Sequence, residues 1–152
     1  MSDWLECTLG EAPIQIIDGD RGKNYPKKGD FSDSGHCLFL NTKNVTTTGF
    51  TFSELNFIDQ ERDNLLRKGK LKRGDVVLTT RGTVGNVAYY DEKVPFDHIR
   101  INSGMVIIRP DGINERFNYQ LFKSLGGSFQ VFATGSAQPQ LPIRDLAWFK
   151  IA

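Results

Sequence analysis

The chain has 152 residues, a length typical of one domain, and a net charge of +1 at pH 7. Hydrophobic residues make up 39% and aromatic residues 11%, which is enough apolar material for a core and argues against an intrinsically disordered chain. The near-neutral net charge neither favours nor excludes a nucleic-acid partner, so the distribution of the charges has to decide.

Neither a targeting segment nor a membrane span is predicted. Residues 1–6 include acidic side chains and no apolar stretch of the kind that a signal peptide carries. No apolar run approaches the roughly 18–20 residues that a membrane span needs. Cys7 and Cys37 are too few for a disulfide scaffold and are expected to be buried or inert thiols. We therefore expect a soluble protein of the cytoplasm.

The first third of the chain alternates short strands with polar loops. Residues 14–17 predict a strand that ends at an Asp-Gly-Asp turn. Residues 18–35 are polar and glycine-rich, and long loops in compact domains tend to carry function. Residues 37–40 predict a buried strand, and a polar loop follows over residues 41–49.

The remainder predicts two helices among further strands. Residues 59–67 predict a short helix with Asp59 as its N-cap and Gly69 able to terminate it. The spacing of apolar residues predicts an amphipathic helix over residues 115–125. Strands are predicted over residues 76–80, 84–90, 105–108 and 148–152. This pattern indicates one α+β domain over residues 1–152, β-rich, with a few short helices and long loops.

No motif for catalysis or metal binding is complete. Residues 18–23 begin like a calcium-binding EF-hand loop, but Gly22 and Gly29 stand where oxygen ligands are required. The Gly22-Lys23 pair lacks both the first glycine and the Ser or Thr of a phosphate-binding P-loop. His36 and Cys37 have no partner pair at zinc-site spacing. The sequence therefore predicts neither a catalytic residue nor a metal site.

Two segments concentrate positive charge. Residues 21–28 carry four basic residues and no acidic one, with an asparagine and a tyrosine between them. Residues 67–81 carry six basic residues and one acidic residue, so the local net charge is 6 − 1 = +5 on a chain whose total is +1. Such a distribution suits a surface that follows the DNA backbone. A solvated loop or a basic helix end would give the same composition, so both interpretations stay open.

Arg81 and residues 97–104 carry side chains suited to reading bases. Arg81 follows a predicted strand and precedes Gly82, where a side chain can project without obstruction. Residues 97–104 alternate polar and apolar, which by strand periodicity would place Arg100 and Asn102 on one face. Arginine can read guanine and asparagine can read adenine. Solvent exposure alone would also produce this alternation.

Several stretches, taken in order, resemble the target-recognition domains of type I restriction–modification specificity subunits. They are WLECTLG at 4–10, DGDRGKNYP at 18–26, LFLNTKNV at 38–45, LKRGDVVLTTRGTVG at 71–85 and GSAQPQL at 135–141. The resemblance spans nearly the whole chain. In that family, such domains alternate with long helices that pair as a coiled coil. This sequence stops where the first such helix would begin, so we expect a monomer.

The resemblance implies that the chain binds double-stranded DNA and reads one half of a bipartite target. Catalysis would belong to partners, with S-adenosylmethionine on methyltransferase subunits and ATP and Mg²⁺ on restriction subunits. The residues expected to contact DNA are Arg21, Lys23, Asn24, Tyr25, Lys43, Asn44, Arg81, Thr83, Arg100, Asn102 and Gln138. The residues expected in the core are Leu78, Val84, Met105, Ile107 and Leu121.

Three alternatives remain from the residues alone. A stand-alone DNA-modifying enzyme would need a glycine-rich cofactor loop and an Asn-Pro-Pro-aromatic motif, and the sequence has neither. A recognition domain within a larger fused restriction–methylation polypeptide would differ only in its downstream sequence. A protein-interaction module that uses its phenylalanine-rich surface would show no salt-dependent DNA binding.

Overall fold

The computed structural model describes residues 7–133, 140–147 and 149–151. In chain order the elements are β1 (Cys7–Thr8), β2 (Ile14–Asp18), β3 (Cys37–Phe39), β4 (Val45–Thr46), β5 (Gly49–Phe50), β6 (Phe57–Ile58), α1 (Gln60–Leu65), β7 (Val76–Arg81), β8 (Thr83–Tyr89), β9 (Ile99–Arg100), β10 (Met105–Pro110), α2 (Glu115–Ala133), α3 (Ile143–Ala147) and β11 (Lys150–Ile151). Short 3₁₀ turns occur at Lys28–Asp30 and Thr42–Asn44.

A four-stranded antiparallel sheet occupies the centre of the fold, with its strands in the order β2-β10-β7-β8. The strands predicted over residues 14–17, 76–80, 84–90 and 105–108 all belong to it. β7 and β8 form the predicted hairpin, and Gly82 turns the chain between them with φ +78. The sheet therefore provides a rigid support whose strand ends carry the loops of interest.

Each face of this sheet has its own hydrophobic core, because successive strand residues point to opposite sides. Val77 and Ile107 pack on one face against the second sheet, and Leu78 and Ile108 pack on the other face against α2. Complete burial of one such side chain contributes about 1.5–3 kcal/mol. Four of the five predicted core residues are buried, and Leu121 is partly buried at the border of the core.

The second sheet has three strands, in the order β6-β3-β9. Its outer side carries a small cluster in which Phe39 contacts the rings of Tyr25 and Phe31, and this contact anchors the long loop after β2. Cys37 is buried in the same cluster, as expected. Burial raises the pKa of the Cys37 thiol to about 12, and the nearby Asp63 carboxylate adds to the effect. The thiol is therefore protonated and unreactive at neutral pH.

Helix α1 follows the prediction and α2 exceeds it. The Asp59 carboxylate caps α1 by accepting a hydrogen bond from the Arg62 amide at 2.8 Å. Helix α2 continues past residue 125 to Ala133. Its last turns bury Phe129 and Ala133 in the core beneath it. Gly126 packs directly on Gly85 of β8, where a side chain on either residue would collide with the backbone of the other.

Strands outnumber helices in the described residues, and the sheets and helices are interspersed, which confirms the predicted α+β class. Backbone pairing of β11 with β1 confirms a strand near the end of the sequence. Among the described helices, none has both the length and the apolar character that crossing a membrane requires.

Candidate nucleic-acid interface

One edge of the central sheet gathers the ends of all four strands. Antiparallel pairing places Asp18, at the end of β2, opposite Val106 of β10, and places Thr79 of β7 opposite Met105. The β7–β8 turn lies at the same edge. We call this surface the loop edge. It comprises residues 18–25, 41–44, 80–83, 102–104 and 140–141.

The turn over residues 102–104 holds these loops together. The Gly104 carbonyl accepts a hydrogen bond from the Arg81 amide at 3.3 Å. The Ser103 amide donates to the Tyr25 hydroxyl at 3.1 Å. A Cβ at Gly104 would lie 2.8 Å from the Thr42 methyl group, so the loop before β4 also lies against this turn. Loops that are far apart in the sequence therefore meet on one surface.

Arg21 and Arg81 line the same cleft, which has a volume of about 190 Å³. The Arg21 side chain is 46% exposed, and its guanidinium makes two contacts to the Asp18 carboxylate, from Nε at 3.0 Å and from Nη2 at 3.1 Å. Arg81 is exposed at the end of β7, and its backbone pairs with Gln140. Thus the described end of the GSAQPQL motif lies beside the arginine that the sequence predicts to read a base.

The other exposed candidates lie on the loops of the same edge. Lys23, Lys43 and Thr83 are all exposed. Apart from the chain neighbours of Gly82, no described atom lies within 4 Å of the position that a Cβ on Gly82 would take. The arrangement therefore offers cations and a hydroxyl on a rigid support. Gln138 lies outside the described residues.

Arg100, which the sequence predicts to contact DNA, is buried within the protein. Its guanidinium binds the Asp63 side chain through Nε, and donates to the carbonyl oxygens of Lys68, Asp63 and Leu66 at 2.9, 2.8 and 3.0 Å. Ile99 and Ile101, on either side of it, are buried as well. The polar–apolar alternation of residues 97–104 therefore does not separate an exposed face from a buried one.

Asn44, which is also among the residues predicted to contact DNA, is buried as well. Its amide nitrogen donates to the carbonyl oxygens of Thr51 and Glu54, and its amide oxygen accepts from the Asn41 amide. The side chain shapes the loop before β4 instead of facing solvent. The neighbouring Lys43 is exposed, so the loop still carries a positive charge at the surface.

Three further candidates are partly exposed but already make contacts within the protein. Tyr25 places its ring on Phe39 and accepts the Ser103 amide with its hydroxyl. The Asn102 amide oxygen accepts from the Gly104 amide at 2.8 Å. Asn24 donates to the Leu65 carbonyl at 3.5 Å. Each of these residues helps to set the shape of the loop edge.

A second group of charges lies apart from the loop edge, and we call it the internal charge cluster: His36, Asp63, Lys70, His98 and Arg100. Asp63 is its centre and pairs with Arg100, Lys70 and His36. Burial alone would raise the pKa of Asp63, but hydrogen bonds from Lys70 and Arg100 outweigh burial and lower it. Asp63 is therefore ionised at neutral pH.

The basic segment over residues 67–81 is thus only partly available to bind DNA, because some of its cations contact other parts of the protein. Lys70 pairs with Asp63, and Arg73 binds Asp97 at 2.7 Å while lying over the ring of Tyr90. Arg67, Lys68 and Lys72 are exposed. Two of the cations predicted for the DNA backbone therefore stabilise the fold.

The internal charge cluster contains the one metal-like grouping among the described residues. Ligand atoms of His36, Asp63 and His98 lie within 4.8 Å of one another, and the two imidazole rings stack at 4.3 Å. Sequence spacing could not reveal this grouping, because the fold brings His98 to His36. A divalent cation there would compete with Lys70 and Arg100 for the same carboxylate.

The fold is similar to part of several solved chains from type I restriction–modification systems. A chain from a structure on complex assembly and conformational transition of the type I R-M system matches with a TM-score of 0.70 and 17% identity over 97% of this chain and 33% of that one. The HsdS subunit from Thermoanaerobacter tengcongensis matches at 0.65 and 18%, over 97% and 32% of the two chains. The type I S subunit from M. genitalium matches at 0.60 and 19%, over 96% and 33%.

The chain spans about a third of the length of these solved chains. A model of the family described as the type I restriction modification DNA specificity domain matches residues 1–152. The chain therefore belongs to that family, which confirms the resemblance carried by the ordered motifs. No curated protein matches it.

Proposed function

We propose that residues 1–152 form one target-recognition domain that reads half of a bipartite double-stranded DNA target through the loop edge. The observation that supports this most directly is the meeting of Arg21 and Arg81 on one cleft, at the edge of a rigid sheet. Sequence reading requires donors held in fixed positions, and strand ends hold them better than mobile loops do.

The side chains of the loop edge divide into two chemical groups. Lys23 and Lys43 are exposed point charges on flexible stems, which suit phosphate oxygens. Arg21 and Arg81 carry planar guanidinium groups that can donate two hydrogen bonds to one guanine. Thr83 adds a hydroxyl beside Arg81 that suits either a base edge or a phosphate.

The chemistry of modification and cleavage is proposed to come from partner subunits in the cytoplasm. A methyltransferase subunit would supply S-adenosylmethionine, and a restriction subunit would supply ATP and Mg²⁺. The domain's part is then to place these subunits at one sequence. Its specificity for DNA is the property for which its family is described.

The domain alone is proposed to be a monomer. Light scattering at micromolar concentration should give the mass of one chain, 17.1 kDa. A tight dimer would contradict this and would mean that the β-rich body carries its own interface.

Salt-dependent DNA binding tests the proposal. The isolated domain should bind a random duplex weakly, and the binding should weaken steeply between about 50 and 200 mM salt because cations on phosphates release counterions. Lys93→Ala removes an exposed cation beyond the opposite end of β8, so it is a charge-matched control for Lys23→Ala and should leave this binding unchanged. Binding that is unchanged across this salt range would contradict phosphate contacts by the domain.

A further inference from the structure

We propose that Asp18 and Arg21 act as one base-reading unit, in which Asp18 positions the Arg21 guanidinium to read a guanine. This inference rests on the proposed function and names a specificity-determining pair within it. Asp18 is not among the residues that the sequence predicts at the interface. The structure places its carboxylate directly beside the exposed guanidinium.

The geometry leaves one edge of the guanidinium available. Nε and Nη2 of Arg21 both donate to the two oxygens of Asp18, at 3.0 and 3.1 Å. Nη2 has one further contact, to the Ser103 carbonyl at 3.4 Å, which is at the long limit of a hydrogen bond. Nη1 donates to none of the described residues. Within the described residues, the Nη1–Nη2 end of the guanidinium is therefore held only by this one long contact, and both of its nitrogens can donate to a ligand in the cleft.

Guanine presents the complementary pair of acceptors. Its O6 and N7 lie next to each other in the major groove and accept two parallel N–H donors from one arginine. An arginine held along its Nε–Nη2 side by a carboxylate keeps the opposite end for this contact. The pairing with Asp18 thus selects the orientation that bidentate reading requires.

Asp18 is itself held in place. It is the last residue of β2 and pairs with Val106 on the central strand β10. Its carboxylate also accepts a hydrogen bond from the Gly19 amide at 2.8 Å. Although Arg21 lies on a loop, its contact with Asp18 therefore ties its guanidinium to the central sheet.

The charge of the pair favours a base over a phosphate. Asp18 offsets the positive charge of Arg21 locally, which weakens attraction to a phosphate. The N–H donors at the Nη1–Nη2 end of Arg21 remain available, and the guanine acceptors O6 and N7 carry no net charge. The unit should therefore contribute to discrimination more than to general affinity.

The test is sequence selection from a pool of random duplexes by the complete restriction–modification complex, with wild-type or variant chain. Arg21→Ala and Asp18→Asn should both lose the preference for guanine at one and the same base pair, by about tenfold, and keep the remaining preferences. Asp18→Asn should also bind random DNA at least as tightly as wild type, because it removes a negative charge. Asp97→Asn makes the same charge change beside Arg73 and should leave every base preference unchanged.

Arg21→Lys keeps the positive charge but removes the planar guanidinium. Because it alters only an exposed side chain, it tests guanine reading by Arg21 even if Asp18→Asn disturbs folding. Full guanine preference in Arg21→Lys would overturn bidentate reading. Equal weakening of every duplex by Arg21→Ala and Asp18→Asn would overturn the unit in favour of a structural role. Unchanged preferences would overturn the unit and leave the proposed function standing. A wild-type complex with no preference in the corresponding half-site would contradict the proposed function as well.

Discussion

Two of the Asp–Arg pairs among the described residues lie in opposite environments. In the internal charge cluster, the side chains of Asp63 and Arg100 are 3% and 8% exposed, and every guanidinium nitrogen of Arg100 donates to the protein. At the loop edge, the side chains of Asp18 and Arg21 are 23% and 46% exposed. The two pairs have the same chemistry, but only the second keeps donors for another molecule.

The two environments suit the pairs to different roles: the buried pair stabilises the fold, and the exposed pair can serve recognition. Removing one partner of a buried pair leaves an uncompensated charge, which costs far more than the loss of an exposed pair. An exposed pair adds little to stability and can therefore be used for binding. Burial decides which of the two functions an arginine has, and burial depends on the fold.

The largest expected effect is the loss of the buried guanidinium. Arg100→Ala should lower the free energy of unfolding by about 3–5 kcal/mol, because the Asp63 carboxylate and three carbonyl oxygens lose their donors. Arg21→Ala is the matched comparison and should change the free energy of unfolding by no more than about 1 kcal/mol. Urea unfolding followed by circular dichroism measures both. If both variants lost the same free energy of unfolding, the two pairs would not differ in their contribution to stability.

Acid should protonate the Asp63 carboxylate at low pH only. The pKa of Asp63 is lowered in the folded state, because the hydrogen bonds from Lys70 and Arg100 outweigh the effect of burial. Its contribution to stability is therefore complete above its unfolded value of about 3.9 and is lost as the pH falls through the lower folded pKa. Unfolding measured from pH 6 to pH 2 should show a smaller acid-induced loss in Asp63→Asn than in wild type. Parallel curves would contradict a lowered pKa.

The sequence predicts local structure well, because local structure follows from local patterns. The strands at residues 76–80 and 105–108 need only their β-branched runs, and the cap at Asp59 needs only its own helix. The helix predicted over residues 115–125 is too short, because the last turns of α2 pack Phe129 and Ala133 against strands that are distant in the sequence.

The site could be predicted only in part. The motifs that resemble the family identify the right loops, and Arg21 and Arg81 are exposed where those loops meet. The burial of Arg100 could not be predicted, because its partner Asp63 is far away in the sequence and lies on α1. Asp18 could not be identified as the partner of Arg21, because an interpretation as a turn residue explains it equally well in the sequence.

The smallest expected effect comes from a single phosphate contact. Lys23→Ala should weaken cognate and random duplexes by the same factor and reduce the salt slope of log K by about 1. Its stability should stay within about 0.5 kcal/mol of wild type, because the side chain is exposed. Titrations at several salt concentrations measure the slope. A loss confined to the cognate duplex would instead make Lys23 a base contact.

The most direct test of DNA reading by the loop edge is Arg81→Ala in the assembled complex, titrated at fixed salt against the cognate duplex and its single-base variants. Arg81 stands at the end of β7 on the shared cleft, so its loss should cost about 1–3 kcal/mol on the cognate duplex and relax the preference at one base pair. Lys43→Ala serves as the control and should weaken all duplexes equally. Equal weakening of every duplex by Arg81→Ala would show a phosphate contact. Unchanged binding together with a lower melting temperature would show a structural role, and either result would contradict base reading at this edge.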